Sequence, residues 1–161
     1  MTPPSKIVSW EQLDAIVRRL KAEGKRIVFT NGCFDLLHIG HARYLQQARA
    51  LGDFLIVGLN SDESVRRLKG PRRPLVPEAE RAEMLAALAC VDAVALFQED
   101  TPDHLIRLVS PHLHAKGGDY RKEELPEAPL VESLGGEVRI LPWVAGRSTT
   151  EIVLRVLERY Q

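Results

Sequence analysis

The sequence predicts an α/β fold, an open parallel sheet of about five strands with helices on both faces. Three observations carry that expectation. Short apolar runs at 26–31, 54–59, 91–97, 112–116 and 137–141 have the composition of buried strands. Between them lie stretches whose apolar residues recur at helical spacing. The two kinds alternate along the chain, which implies right-handed crossovers and parallel strands.

The first helix is announced by Ser9 and Gln12, spaced as a capping box. Leu13, Ile16, Val17 and Leu20 follow at i, i+3, i+4 and i+7, and Gly24 suits the position just beyond the helix end. Residues 1–25 thus read as an N-terminal extension bearing an amphipathic helix, and 26–161 as the main domain. Arg26 to Asn31 is the first strand, followed by a glycine-bearing loop and a helix ending near Gly52. Phe54 to Leu59 is the second strand. Pro77 suits the first position of a helix reaching about Leu88, with Glu78 and Glu80 in its electropositive first turn. Val91 to Phe97 is the third strand, and Thr101-Pro102-Asp103 opens a helix that stops before Pro111. His112 to Lys116 and Glu137 to Leu141 complete the sheet. Ser148 and Glu151 form a second capping box, and Ile152, Val153, Val156, Leu157 and Tyr160 give the last helix one apolar face.

Composition narrows the function classes. The chain of 161 residues carries 22 Lys+Arg against 22 Asp+Glu, so its formal net charge is zero. That balance argues against a surface built to grip nucleic acid or an anionic membrane. Two cysteines, Cys33 and Cys90, are too few and too far apart for a disulfide framework or zinc knuckle. The longest apolar run, Met84 to Val91, is far short of the roughly 20 residues of a membrane span. No apolar stretch follows the N-terminus as a signal peptide requires, so a cytoplasmic protein is expected.

Ligands of open parallel sheets bind beyond the carboxyl ends of the strands. Neither G-x-G-x-x-G nor G-x-x-x-x-G-K-[ST] occurs, so the usual dinucleotide and P-loop sites lack support. The loop after the first strand reads Thr30-Asn31-Gly32-Cys33-Phe34-Asp35-Leu36-Leu37-His38-Ile39-Gly40-His41 and leads into a helix. A helix N-terminus offers unpaired N–H groups and partial positive charge to a phosphate. His38 and His41 stand at that end, both able to donate to one phosphate, and Gly40 would let a ligand approach the backbone. The segment Arg66, Arg67, Lys69, Arg72, Arg73 is broken by Gly70, Pro71 and Pro74 and reads as a mobile loop over the site. Between Arg66 and Arg81, six basic residues face only Glu78 and Glu80, a local field suited to small phosphates. His104, His112 and His114 carry no motif and read as surface or strand-end residues. Trp10 and Trp143 read as packing residues.

The string T-N-G-C-F-D-L-L-H-I-G-H resembles the H-x-G-H nucleotidyltransferase superfamily, whose fold is a Rossmann-like open parallel sheet. Three further segments match in order: Asn60-Ser61-Asp62, Lys116-Gly117-Gly118-Asp119-Tyr120 and Gly146-Arg147-Ser148-Thr149-Thr150. With Arg66 to Gly70 and Glu80-Arg81, they resemble the branch that adenylylates D-glycero-β-D-manno-heptose 1-phosphate in bacterial heptose biosynthesis. Glycerol-3-phosphate cytidylyltransferases, which carry R-T-x-G-I-S-T-T where this chain has Trp143 to Thr150, are the alternative, with FMN adenylyltransferase-like enzymes. A nucleotide-binding module without turnover is a third class.

The resemblance implies ATP and a sugar phosphate as substrates, Mg²⁺ bound with the ATP, and no protein ligand for the metal. His38, His41 and Lys69 would be catalytic. Nucleotide contacts would come from Asn31, Gly32, Cys33, Phe34, His38, Ile39, Gly40, His41, Asp119, Gly146, Arg147, Ser148, Thr149 and Thr150. Lys116, Arg72, Arg73 and Arg81 would serve the acceptor. Relatives imply a homodimer, and the chain's length implies that a separate heptose kinase supplies the sugar phosphate.

Overall fold

A computed structural model describes residues 5–118, 120–143 and 146–161. Its elements run α1 (Trp10–Ala22), β1 (Ile27–Gly32), α2 (Ile39–Arg49), β2 (Phe54–Asn60), α3 (Asp62–Lys69), α4 (Glu78–Ala86), β3 (Ala93–Phe97), α5 (Asp103–Val109), β4 (Leu113–Gly117), α6 (Ala128–Ser133), β5 (Glu137–Leu141) and α7 (Thr149–Arg159). The five strands form one parallel sheet in the order β3-β2-β1-β4-β5. The chain reverses its direction of winding between β1 and β4, and the loops beyond that point form the crevice where ligands of such sheets sit.

Alternate residues of each strand feed two cores. Ile27, Phe29, Ile56, Ala93 and Ala95 pack with Leu13, Val17 and Leu20 of α1, with α5 and with α6. Val28, Leu55, Val57, Val94 and Ala115 pack on the other face with Tyr44, Leu45 and Ala48 of α2 and Ala82 and Leu85 of α4. Helix α1 therefore shares the domain's core, and Val8 N–H donates to Val94 O beside β3.

Four local expectations differ from the structure. Residues 66–69, read as part of a mobile basic loop, belong to α3 (Asp62–Lys69): Ser61 caps it, acidic Asp62 and Glu63 fill its first turn, and Arg66, Arg67 and Lys69 fill its last. The second capping box is half made, since Ser148 accepts from Glu151 N–H without a reciprocal bond. The apolar face of α7 has no fully buried residue: Ile152 and Val153 are half-buried, and Val156, Leu157 and Tyr160 are exposed. His114 is fully buried rather than at a strand end, because β4 lies between β1 and β5 and is covered on both faces.

Candidate active site

Helix α2 starts at His38, and the H-x-G-H spacing defines its cap. His38 Nδ1 accepts the N–H of Gly40 at 3.1 Å, and His41 Nδ1 accepts the N–H of His38 at 3.2 Å. A backbone donor on each Nδ1 leaves the proton of a neutral ring on Nε2. Both rings are therefore held as Nε2–H donors. The rings lie with centroids 3.9 Å apart, and His38 Nε2 is buried with no hydrogen-bond partner.

Gly40 has a steric role within the motif itself. A Cβ there would lie 2.8 Å from His38 Cε1 and 2.9 Å from His38 Nδ1, so the glycine makes room for the His38 ring itself. Burial first, and then the positive charge of His38, lower His41 to about 4. Burial likewise lowers His38. The pair is neutral at physiological pH and can donate without repelling itself.

The rings open into a cavity of about 630 Å³. Of the residues expected at the site, Asn31, Gly32, Cys33, Phe34, His38, His41, Lys69, Arg73, Lys116, Ser148, Thr149 and Thr150 line it. The start of α7 lines the same cavity as the start of α2, and Thr149 Oγ1 donates to Asp35 O at 2.6 Å, tying α7 to the loop that precedes α2. Two helix N-termini on one cavity would both favour an anion there. Ile39, Gly40, Arg72, Gly146 and Arg147 are not among the lining residues. Arg147 nevertheless abuts the motif, its Cβ 3.5 Å from where a Gly40 Cβ would stand. Asp119 lies outside the described residues.

Arg81 corrects an expectation. Rather than meeting the acceptor, it is 1% exposed and its guanidinium is consumed within the fold. Nε donates to Val76 O, Nη1 to Cys33 O and Asn60 O, and Nη2 to Asp62 Oδ1, all within 2.9 Å. It stitches the loops after β1 and β2 to the start of α4. Arg73 reaches the cavity but is also paired, its Nε 2.8 Å from Asp35 Oδ2.

Several interactions at the site were not assigned from the sequence. Asp35, 2% exposed, accepts from Leu75 N–H, Val76 N–H and Arg73, which pins residues 73–76 beside the cavity. Its burial favours protonation, but these three donors outweigh that and hold the carboxyl below its ordinary value. Phe34 and Leu36 flank it in the left-handed region, at φ 47° and 52°. Tyr44, one turn beyond His41, donates to Ala115 O at 2.8 Å and meets Thr30 Oγ1, anchoring α2 to β1 and β4. Trp143 is a cavity wall, edge-on to both histidines at 6.2 and 6.1 Å, and not only a packing residue. Glu127 also lines the cavity. A buried carboxylate outside any motif could have been found only through the tertiary fold.

This fold, with a paired-histidine helix start at the mouth of the sheet, has the architecture of a nucleotidyltransferase domain. Residues 29–155 match the family model described as cytidylyltransferase-like, and the chain belongs to that family. It is 60% identical over 156 residues to the protein named Bifunctional protein HldE of Pelobacter propionicus, covering 97% of this chain and 32% of the relative. The same name is carried by a relative from Trichlorobacter lovleyi, 58% identical over 97% of this chain and 32% of its own length. The chain thus spans about a third of the length of the curated relatives it matches. Among solved structures, the lipopolysaccharide core biosynthesis protein of Thermoplasma volcanium is 31% identical with a TM-score of 0.61, over 75% of this chain and 98% of that one. Pantothenate synthetase of Thermus thermophilus shares the fold at 20% identity and a TM-score of 0.59, over 86% and 62% of the two chains. No helix of the described residues is long and apolar enough to cross a membrane.

Proposed function

We propose that the chain transfers AMP from ATP to D-glycero-β-D-manno-heptose 1-phosphate, giving ADP-heptose and pyrophosphate. The observation that carries this reading is the neutral histidine pair, held as Nε2–H donors at one helix start and sharing a cavity with the threonines of another. High identity to the HldE proteins and likeness to a lipopolysaccharide core biosynthesis protein support the heptose acceptor.

An oxygen of the sugar phosphate attacks the α-phosphorus of ATP, the bond to the β-phosphate bridging oxygen breaks, and pyrophosphate departs. The nucleophile is already anionic at neutral pH, so no general base is required. Catalysis is positioning and charge stabilisation. His38 and His41 donate from Nε2 to the phosphate oxygens, Lys69 brings a cation from the end of α3, and the α7 start with Thr149 and Thr150 holds the remaining phosphates. Mg²⁺ carried on the triphosphate would neutralise charge there. Among the described residues no group of three or more His, Cys, Asp or Glu could hold a metal by itself, and Asp35 is committed to Arg73 and two backbone N–H groups. That donor set suits an ion bound through substrate phosphates, as Mg²⁺ commonly is. A kinase that phosphorylates the anomeric hydroxyl would supply the acceptor, and a homodimer remains the proposed assembly.

The test is pyrophosphate release from ATP or CTP with heptose 1-phosphate, glycerol 3-phosphate or FMN. Turnover confined to ATP with heptose 1-phosphate is expected. Preference for CTP with glycerol 3-phosphate would replace this reading with polyol-phosphate cytidylyl transfer. Tight ATP binding without pyrophosphate from any acceptor would make the chain a binding module.

A further inference from the structure

The cavity that the histidines line also holds a charge cluster that phosphate chemistry does not use. Lys116 and His114 are two residues apart on β4 and share one face, and Glu127 stands opposite them at the start of α6. Glu127 is 6% exposed yet lines the cavity, as does Lys116. Its Oε1 lies 3.4 Å from His114 Nε2 and 3.7 Å from Lys116 Nζ. Both are ion-pair distances, too long for strong hydrogen bonds. The side chain does not cap its own helix.

A buried carboxylate is retained only when something compensates its lost hydration. Burial pushes Glu127 up, but the His114 ring, the Lys116 ammonium and the local backbone overcome this and bring it down to about 2. His114, fully buried, is lowered by that burial and stays neutral. The cluster is therefore one carboxylate balanced by one ammonium, on a cavity wall. An ionised carboxylate offers roughly four lone-pair sites and an ammonium three protons. The long contacts leave much of both unspent. The balanced pair offers a phosphate no net attraction, and its spare acceptors and donors suit an uncharged group rich in hydroxyls.

We propose that Glu127 and Lys116 form a recognition site for a vicinal diol, Glu127 accepting from one hydroxyl and Lys116 donating to its neighbour. The reaction proposed above, on which this inference rests, brings two such groups into the cavity: the 2′,3′-diol of the ATP ribose and the ring hydroxyls of the acceptor sugar. Either would complete the hydrogen bonding of the pair. A site built to bond hydroxyls rejects analogues that lack them, because its own polar groups are then left unpaired.

The experiment measures binding by calorimetry, and separately turnover, for the full chain and for Glu127→Gln. One arm compares ATP with 2′-deoxy-ATP and 3′-deoxy-ATP. The other compares heptose 1-phosphate with its 2-deoxy and 3-deoxy counterparts. The wild-type chain is expected to prefer the intact diol by about 10- to 100-fold in one arm, and E127Q to lose most of that preference. The arm that responds identifies the ligand. Should E127Q fold poorly because Lys116 is left unbalanced, the neutral pair E127Q/K116M restores charge balance and carries the same expectation. Wild-type discrimination retained in both arms by a folded variant would overturn the proposal, as would no discrimination by the wild-type chain. Because binding is read apart from turnover, a chain that binds with diol preference but releases no pyrophosphate would refute the proposed reaction and not the diol site.

Discussion

His41 Nδ1 accepts the backbone N–H of His38 at 3.2 Å, so the second histidine of the motif is oriented by the first residue's main chain. His41 is also a poor base. Its value of about 4 lies below the ordinary histidine value of about 6.5, through burial and then the charge of His38. A proton therefore binds the folded chain more weakly than the unfolded one. The resulting stability is complete above about pH 6.5 and is lost as pH falls through 4. Thermal unfolding of the free chain should show a falling Tm over that window, and His41→Asn should flatten it.

Nucleotide binding should reverse that shift. A triphosphate beside His38 and His41 favours their charged forms, so binding at about pH 5.5 should take up protons. Calorimetry in two buffers of different ionisation enthalpy measures the uptake directly. Equal apparent heats in both buffers would mean the phosphates do not reach the rings.

Arg81 is the second case of a motif residue working through the backbone. Truncating it to Met should cost about 3–5 kcal/mol, since Asp62 and the carbonyls of Cys33, Asn60 and Val76 lose a buried partner. Chemical denaturation reads this, and a change under about 1 kcal/mol would contradict the assigned role. Arg81→Lys should fall between, because an ammonium lacks the planar fork.

Asp35→Asn should free the segment that Arg73, Leu75 and Val76 pin to the site. Amide exchange at Leu75 and Val76 should accelerate and kcat/KM fall about tenfold, with the global fold kept. Acid should mimic the substitution. Asp35 is held below the ordinary carboxylate value, so its contribution is present above about pH 3.9 and is lost as pH falls through the lower folded value.

Lys69 is exposed at the end of α3 and at the edge of the cavity, so Lys69→Met should leave Tm within about 1 °C. Its rate should fall by about 10²-fold, the typical loss for one stabilising donor. Unchanged kcat would remove Lys69 from the mechanism.

The sheet was legible because its signals are local: β5 matches its expected span of Glu137–Leu141, and the other strands shift by one or two residues at their ends. Helix α3 was misread because Gly70, Pro71 and Pro74 drew attention from the cap at Ser61, although its charge pattern follows the helix dipole. Arg81 and His114 were misplaced for one reason. Charged and polar side chains are ordinarily exposed, and only the tertiary fold reveals buried partners such as the carbonyls around Arg81. Gly40 was legible as a position needing a glycine, but its crowding by the His38 ring shows only in the folded helix start.

The most direct test of the account compares His41→Ala with the wild-type chain in single turnover with ATP and heptose 1-phosphate, with ATP affinity measured alongside. A donor needed at the α-phosphate should leave affinity within a few-fold while the rate falls by about 10²–10³. A variant that loses ATP affinity but keeps the wild-type rate at saturation would contradict the account, because His41 would then hold only the ground state.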